Sequence, residues 1–253
     1  MPAEIITIPC RSDNYAYLVR SEAGVQLIDA PETAPIVAAL EQRGWPLDAI
    51  LITHHHHDHV EAVPDLVDRF DCPVTGPKAE RDKLPPLSVA VEDGDTGGAG
   101  DGAWEVIAVP GHTLGHVAYH FPKAGAAFTA DSLMALGCGR VFEGTPQMMW
   151  DSLSRLMALP PDTVIHSGHE YTANNARFAL SVDPGNAALA DRARRIDAAV
   201  AEGTPTAQVP LSEERATNPF LRAGDQALKE ALGMGDAPDV EVFAEIRARK
   251  DRF

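Results

Sequence analysis

Ala49-Ile50-Leu51-Ile52-Thr53-His54-His55-His56-His57-Asp58-His59-Val60-Glu61-Ala62-Val63 is the stretch from which the chain is best read. Its first four residues are apolar and rich in β-branching, the pattern of a short buried strand. The strand stops abruptly in imidazoles and a carboxylate, which places metal-ligating groups at a sheet edge. Imidazole nitrogen and carboxylate oxygen suit zinc, and also iron or manganese. Three plainer readings compete. A purification tag would sit at a terminus and would lack both the strand and the Asp. A solvated, metal-scavenging His tract is a compositional possibility, and a chance surface cluster is the third. A folded metal site accounts for the strand and the Asp together. His54 and His56 are two apart, so in an extended segment they project to one side. Asp58 and His59 follow where the chain must turn toward a helix. One cation could take His54 and His56, and a second Asp58 and His59.

The pattern H-x-H-x-D-H resembles the signature of the metallo-β-lactamase superfamily. His55 and His57 fall on its non-ligand positions. The resemblance implies that further ligands come from later strand-end loops.

Composition sets the outer limits. The chain of 253 residues has room for one large domain or a domain with an appendage, and an apolar content of 45% allows a sizeable core. A net charge of −16 argues against nucleic acid and anionic membranes as partners. No apolar run approaches the roughly 18 residues of a spanning helix. Met1 to Cys10 lacks the pattern of a secretory signal. Cys10, Cys72 and Cys138 are odd in number and scattered, which fits reduced thiols in a cytoplasmic protein rather than a disulfide framework.

Glu4 to Ile8, Tyr15 to Val19 and Gly24 to Asp29 read as consecutive strands of an antiparallel meander. A helix from Thr33 carries Ile36, Val37 and Leu40 on one face and stops at Gly44. Beyond the His run come a short helix through Val63, Leu66 and Val67, then a strand at Cys72-Pro73-Val74. The glycine-rich stretch from Glu92 to Ala103 is a turn-rich hairpin connection. Trp104 to Val109 is a strand that ends in Pro110-Gly111-His112-Thr113-Leu114-Gly115-His116, a second strand-end histidine loop. Ala126 to Asp131 is another strand, with Asp131 at its end, and Thr163 to His166 precedes His169. His116 is expected to hydrogen-bond just outside the ligands, with His120 and His166 as strand residues. Beyond Tyr171 the character turns helical, with stripes over Asn186 to Ala201 and Asp239 to Lys250 read as packing faces.

Four separated stretches sharpen the resemblance. Gly137-Cys138-Gly139-Arg140-Val141-Phe142-Glu143-Gly144-Thr145, Ser167-Gly168-His169-Glu170-Tyr171-Thr172, Asn218-Pro219-Phe220-Leu221-Arg222 and Arg247-Ala248-Arg249-Lys250-Asp251-Arg252-Phe253 resemble the glyoxalase II family of hydroxyacylglutathione hydrolases. That likeness runs nearly end to end. It implies an α+β fold, a four-layered αββα sandwich over residues 1–170, followed by a small helical glutathione-binding domain over 171–253. It implies two divalent metal ions, zinc first and iron or manganese as alternatives, with His54, His56 and His112 on one, Asp58, His59 and His169 on the other, and Asp131 shared. The implied reaction is hydrolysis of S-(2-hydroxyacyl)glutathione, such as the lactoyl thioester of methylglyoxal detoxification, to glutathione and a 2-hydroxy acid such as D-lactate. Hydroxide would be held between the cations by Asp58 and Asp131. Arg140, Phe142, His169, Tyr171, Arg247 and Lys250 match substrate-contacting positions, and a monomer is expected.

The chain departs from the family's usual pattern at Glu61-Ala62, where a glycine pair is common, and at Ala130 and Ser132, where Gly and Thr are usual. Phe142 stands where some members have Tyr. Other activities of the same fold are a persulfide dioxygenase using one iron, a lactonase and a β-lactamase. A non-catalytic metal-binding protein is the remaining class. Diiron electron-transfer relatives usually carry Glu where His56 stands.

Overall fold

The computed structural model describes residues 2–253. The expected meander is present as β1 (Glu4–Cys10), β2 (Asn14–Ser21) and β3 (Gly24–Ile28), paired antiparallel in that order. The third strand ends one residue early, because Asp29 takes φ 55° and turns the chain toward α1 (Thr33–Arg43). Next come β4 (Ala49–Leu51), the one-turn α2 (His57–Val60), α3 (Val63–Phe70), β5 (Val74–Pro77) and β6 (Val89–Val91). The strand expected at Cys72-Pro73-Val74 begins instead at Val74. Pro73 has no N–H to give the ladder, whose register starts at Ile50 opposite Val74. From β3 to β6 the pairing is parallel, completing a six-stranded mixed sheet in sequence order.

A second six-stranded sheet follows. It comprises β7 (Thr96–Gly97), β8 (Trp104–Ala108), β9 (Val117–Phe121), β10 (Ala126–Ala130), then, after the small hairpin β11 (Leu133–Met134) and β12 (Gly137–Cys138) and the helix α4 (Pro146–Met157), β13 (Val164–Ser167). Its last member, β14 (Gln208–Pro210), lies beyond α5 (Thr172–Val182) and α6 (Ala187–Ala201) and pairs antiparallel with β13. The segment after Tyr171, expected as helices, therefore also lends a strand to the sheet. It closes with α7 (Leu211–Thr217), α8 (Gln226–Ala231) and α9 (Asp239–Asp251).

Side-chain alternation sorts the layers. Along β2, Tyr15, Tyr17 and Val19 join Trp104, Val106, Tyr119, Phe121 and Phe128 of the second sheet in a core between the sheets. Ala16 and Leu18 point the other way and pack with Ile36, Val37 and Leu40 of α1 and Leu66 of α3. On the far side, Ile107, Ala118, Ala127 and Ile165 pack with Met149, Leu153 and Leu156 of α4 and with Phe178, Phe220 and Phe243. The result is helix, sheet, sheet, helix, the layering implied by the family resemblance. The apolar faces of the helices after Tyr171 thus share a core with the outer face of the second sheet.

Strand direction then gathers the loops. β10 and β13 are parallel, and β8 is antiparallel to β9, which is antiparallel to β10. β8, β10 and β13 therefore all finish at one end of their sheet. The first sheet is pinned to that end by the Val117 N–H donating to the Thr53 carbonyl at 2.9 Å and the Tyr15 N–H donating to that of Gly168 at 2.8 Å.

Candidate metal centre

The four strand-end loops converge into two groups. His54, His56 and His112 form one, and Asp58, His59 and His169 the other, each with ligand atoms within 4.8 Å of one another. His112 Nε2 lies 2.9 Å from His56 Nδ1, and His59 Nε2 lies 3.4 Å from His169 Nε2. Asp131 stands between the groups. Its Oδ2 is 3.3 Å from His112 Nε2 and 3.4 Å from His169 Nε2, and its Oδ1 is 3.5 Å from His59 Nε2. Nitrogens bound to one tetrahedral zinc would stand roughly 3.3 Å apart at ordinary bond lengths. The spacings seen here are of that size.

Two buried atoms show that the protein alone does not complete this arrangement. His54 is fully buried and its Nε2 has no hydrogen-bond partner, its Nδ1 being 3.0 Å from Thr53 Oγ1. Asp131 Oδ1 is likewise buried without a hydrogen-bond partner. Orphaned buried polar atoms are costly and rare. A cation in each group would satisfy both, so the donor set fits a dinuclear metal site.

The electrostatics agree. Burial, reinforced by His59 and His116, holds His54 well below the ordinary imidazole pKa, so it is kept in the neutral form that ligates. Burial also opposes charge on His59, but Asp131 and Asp29 outweigh it and hold its pKa well above the usual value. Burial works against ionising Asp131, yet His169 and His59 prevail and keep it well below the normal carboxylate range. A bound cation would take over the proton's part in this balance.

Supporting groups orient the rings. Asp29 Oδ2 lies 2.8 Å from His59 Nδ1, while its two oxygens also accept from the Thr53 N–H and hydroxyl, each at 2.8 Å. Asp13 Oδ1 lies 2.9 Å from His169 Nδ1, the Arg140 carbonyl lies 2.8 Å from His112 Nδ1, and Asn14 donates to Asp58 Oδ2 at 3.1 Å. His116 stacks on His54, ring centroids 4.5 Å apart and planes 14° from parallel. Such partners usually set ligand tautomer and orientation. Asp13 and Asp29 went unnoticed in the sequence. The only signal for Asp29 was an acid closing an apolar strand. His55 and His57 lie outside both groups, His55 against Glu80 and His57 exposed beside Arg11. His120 packs in β9 with Nδ1 2.7 Å from Glu105, and His166 stacks on Phe128.

The departures from the family pattern differ in consequence. Glu61 and Ala62 have ordinary helical dihedrals, so that site carries no backbone strain. Ala130 has φ 41°, in the left-handed region that glycine tolerates best, at a break in register between β10 and β13. That irregularity turns Asp131 toward the histidines.

A cleft of about 540 Å³ opens over the two groups. His56, Asp58, His112, Asp131 and His169 line it, as do all the remaining substrate-side candidates, Arg140, Phe142, Tyr171, Arg247 and Lys250. Phe142 is 61% exposed, its ring 5.3 Å from that of His112. Arg247 is 7% exposed and already engaged, donating to the Cys138 carbonyl at 2.9 Å and pairing with Asp251. Lys250 reaches over the rings of Phe178 and Phe253. Among the other wall residues, Cys138, Asn174, Asn175, Asp251 and Phe253 were not singled out in the sequence as cleft residues.

Residues 11–169 match the metallo-beta-lactamase superfamily, and residues 170–253 match the hydroxyacylglutathione hydrolase C-terminus. A hydroxyacylglutathione hydrolase of Ruegeria pomeroyi is 58% identical over 255 residues, covering the whole of both chains. Among solved structures, the BLEG-1 B3 metallo-beta-lactamase superposes with a TM-score of 0.67 at 21% identity, over 86% of this chain and 99% of that one. TTHA1623, crystallised in a di-iron-bound form, superposes at 0.63 with 28% identity, over 86% of this chain and 100% of that one.

Proposed function

The chain belongs to the hydroxyacylglutathione hydrolase family of the metallo-β-lactamase superfamily, and we propose that its cleft hydrolyses S-(2-hydroxyacyl)glutathione, the lactoyl thioester above all, releasing glutathione and a 2-hydroxy acid such as D-lactate. The observation that carries the site assignment is Asp131, buried between two groups of ligands with one oxygen left unpartnered. His54, His56 and His112 would hold one cation, Asp58, His59 and His169 the other, with Asp131 shared. Zinc is the metal we favour for this imidazole-rich set, with iron and manganese as alternatives.

When bound, the two cations supply Lewis acidity for the thioester carbonyl and bring deprotonation of water into the neutral range. The protein's own groups do the rest. Asp58, steadied by Asn14, and Asp131 accept hydrogen bonds from the attacking water and fix its approach to the carbonyl carbon. Phe142 and Tyr171 wall the carbonyl off from bulk solvent. A thiol with a pKa near ~8.5 leaves as thiolate, so no side chain is needed to protonate it. Arg140, Lys250 and Arg247 supply positive charge to the glutathione carboxylates, offsetting locally a chain whose net charge is −16. The protein is read as a cytoplasmic monomer with no nucleic-acid or membrane partner. No helix among the described residues is long and apolar enough to cross a membrane.

Steady turnover of S-lactoylglutathione by the purified protein, with two metal equivalents by elemental analysis, is the expected result. A protein loaded with two equivalents that leaves the thioester intact would refute the reading.

A further inference from the structure

We propose that Glu80 is a positioning residue that clamps the two loops carrying His54, His56 and His112, and so selectively sets the affinity of that one cation site. This rests on the assignment of those three histidines to a single metal. Glu80 sits in the 3₁₀ segment Lys78–Lys83, between β5 and β6. In the run Lys78-Ala79-Glu80-Arg81-Asp82-Lys83 every neighbour is exposed, whereas Glu80 is only 3% exposed. Burying one acid of a charged run is costly unless its oxygens are fully partnered. They are. Oε2 accepts the His55 N–H at 2.7 Å and lies 2.8 Å from His55 Nδ1. Oε1 accepts the Thr113 hydroxyl and the Gly115 N–H, the latter at 2.9 Å.

These partners interleave with the ligands. His55 lies between His54 and His56, Thr113 follows His112, and Gly115 precedes the His116 ring that stacks on His54. One carboxylate therefore spans both ligand loops of the histidine group. Its partners are His55, Thr113 and Gly115, none of them in the group of Asp58, His59 and His169. Gly115 is shaped for this approach, since a Cβ there would stand 2.4 Å from Glu80 Cγ. Each oxygen faces a backbone N–H, so only a group that accepts at both ends can sit here. An amide would turn a donor against a donor at one end.

The test is a Co²⁺ titration of the full-length metal-free protein, read from the visible bands of each site. Glu80→Gln is expected to retain one equivalent at near wild-type affinity and to weaken the other about 10–100-fold, the usual cost of losing a group that supports a metal ligand. The retained equivalent should disappear when His169→Ala is added. Excess metal should restore kcat with KM unchanged. Thr113→Val removes one donor without disturbing the backbone and should weaken the same equivalent severalfold, so it decides the matter alone if Glu80→Gln does not fold. Two equivalents at wild-type affinity in these variants would overturn the proposal, as would parallel weakening of both equivalents. A wild-type protein binding no metal at His54, His56 and His112 would overturn the underlying assignment as well.

Discussion

Tyr171 lies flat on His169, with ring centroids 4.7 Å apart and planes 7° from parallel. The tyrosine, 40% exposed at the cleft wall, thereby backs a candidate ligand while leaving part of its surface open to the cleft. An aromatic pair of this kind contributes about 1 kcal/mol. Tyr171→Ala should therefore weaken the metal held by Asp58, His59 and His169 severalfold, with Tyr171→Phe, which keeps the ring and loses only the hydroxyl bonded to Asp13, weakening it less. Metal titration of the two variants separates them, and equal affinity in both would show that the stack holds nothing in place.

Asp131→Asn removes one negative charge from between the two ligand groups and leaves the side-chain shape intact. At least one metal should be lost and kcat should drop by about 100-fold or more, in a protein that remains folded by circular dichroism. Two full metal equivalents with near-normal turnover would contradict a shared role for this carboxylate.

Lys250 gives a prediction with a pH sign. Burial, then the nearby Arg247, Arg177 and Arg140, pull its pKa down to about 8. The ammonium consequently discharges as pH rises through that value, and attraction for an anionic substrate fades above it. KM for lactoylglutathione should climb from neutral to alkaline pH while kcat attributable to this contact stays level. Lys250→Ala should show the high KM throughout, without the inflection. Superimposable KM profiles would remove Lys250 from substrate binding. Arg247 is the poorer probe, because it also packs over Phe220 and holds the Cys138 carbonyl, so its loss would disturb the fold as well.

Ala130 carries a backbone conformation that costs an L-residue about 1–2 kcal/mol. Replacement by glycine should relieve most of this and raise the denaturation midpoint at unchanged slope, with metal content preserved. A lowered midpoint would mean that the Ala130 methyl packs favourably enough to outweigh its φ of 41°.

The site was legible in the sequence where chemistry and strand ends coincide. His54, His56 and His112 each follow an apolar run, so their placement at one end of a sheet could be read from local pattern. Asp29 also closes an apolar run, but neither its partners nor those of Asp13 and Glu80 could be read this way. Each is an unremarkable acid whose role comes from approach across 24 to 156 residues of chain. The short hairpin of β11 and β12 and the strand β14 escaped for a related reason. Two or three residues carry no periodicity, and these pair only because the surrounding core brings them together. Asn218, singled out as part of a family motif, is a structural residue in the fold. Its amide donates to the Gly137 carbonyl at 3.0 Å and to Glu214 at 2.8 Å, and Glu214 in turn accepts the Leu136 N–H.

β14 has a consequence for how the molecule comes apart. It is paired with β13, whose following loop bears His169, and Glu214 just beyond it ties down the turn leading from Asp131 to Arg140. A chain cut after residue 170 would expose a raw sheet edge beside one ligand and free the hairpin beside another. The first 170 residues are thus expected not to survive as a freestanding catalyst, and heating the whole protein should give a single calorimetric peak in which cations and helices depart together. Two resolved peaks, or a truncated fragment that still retains both cations, would show the halves to be separable machines.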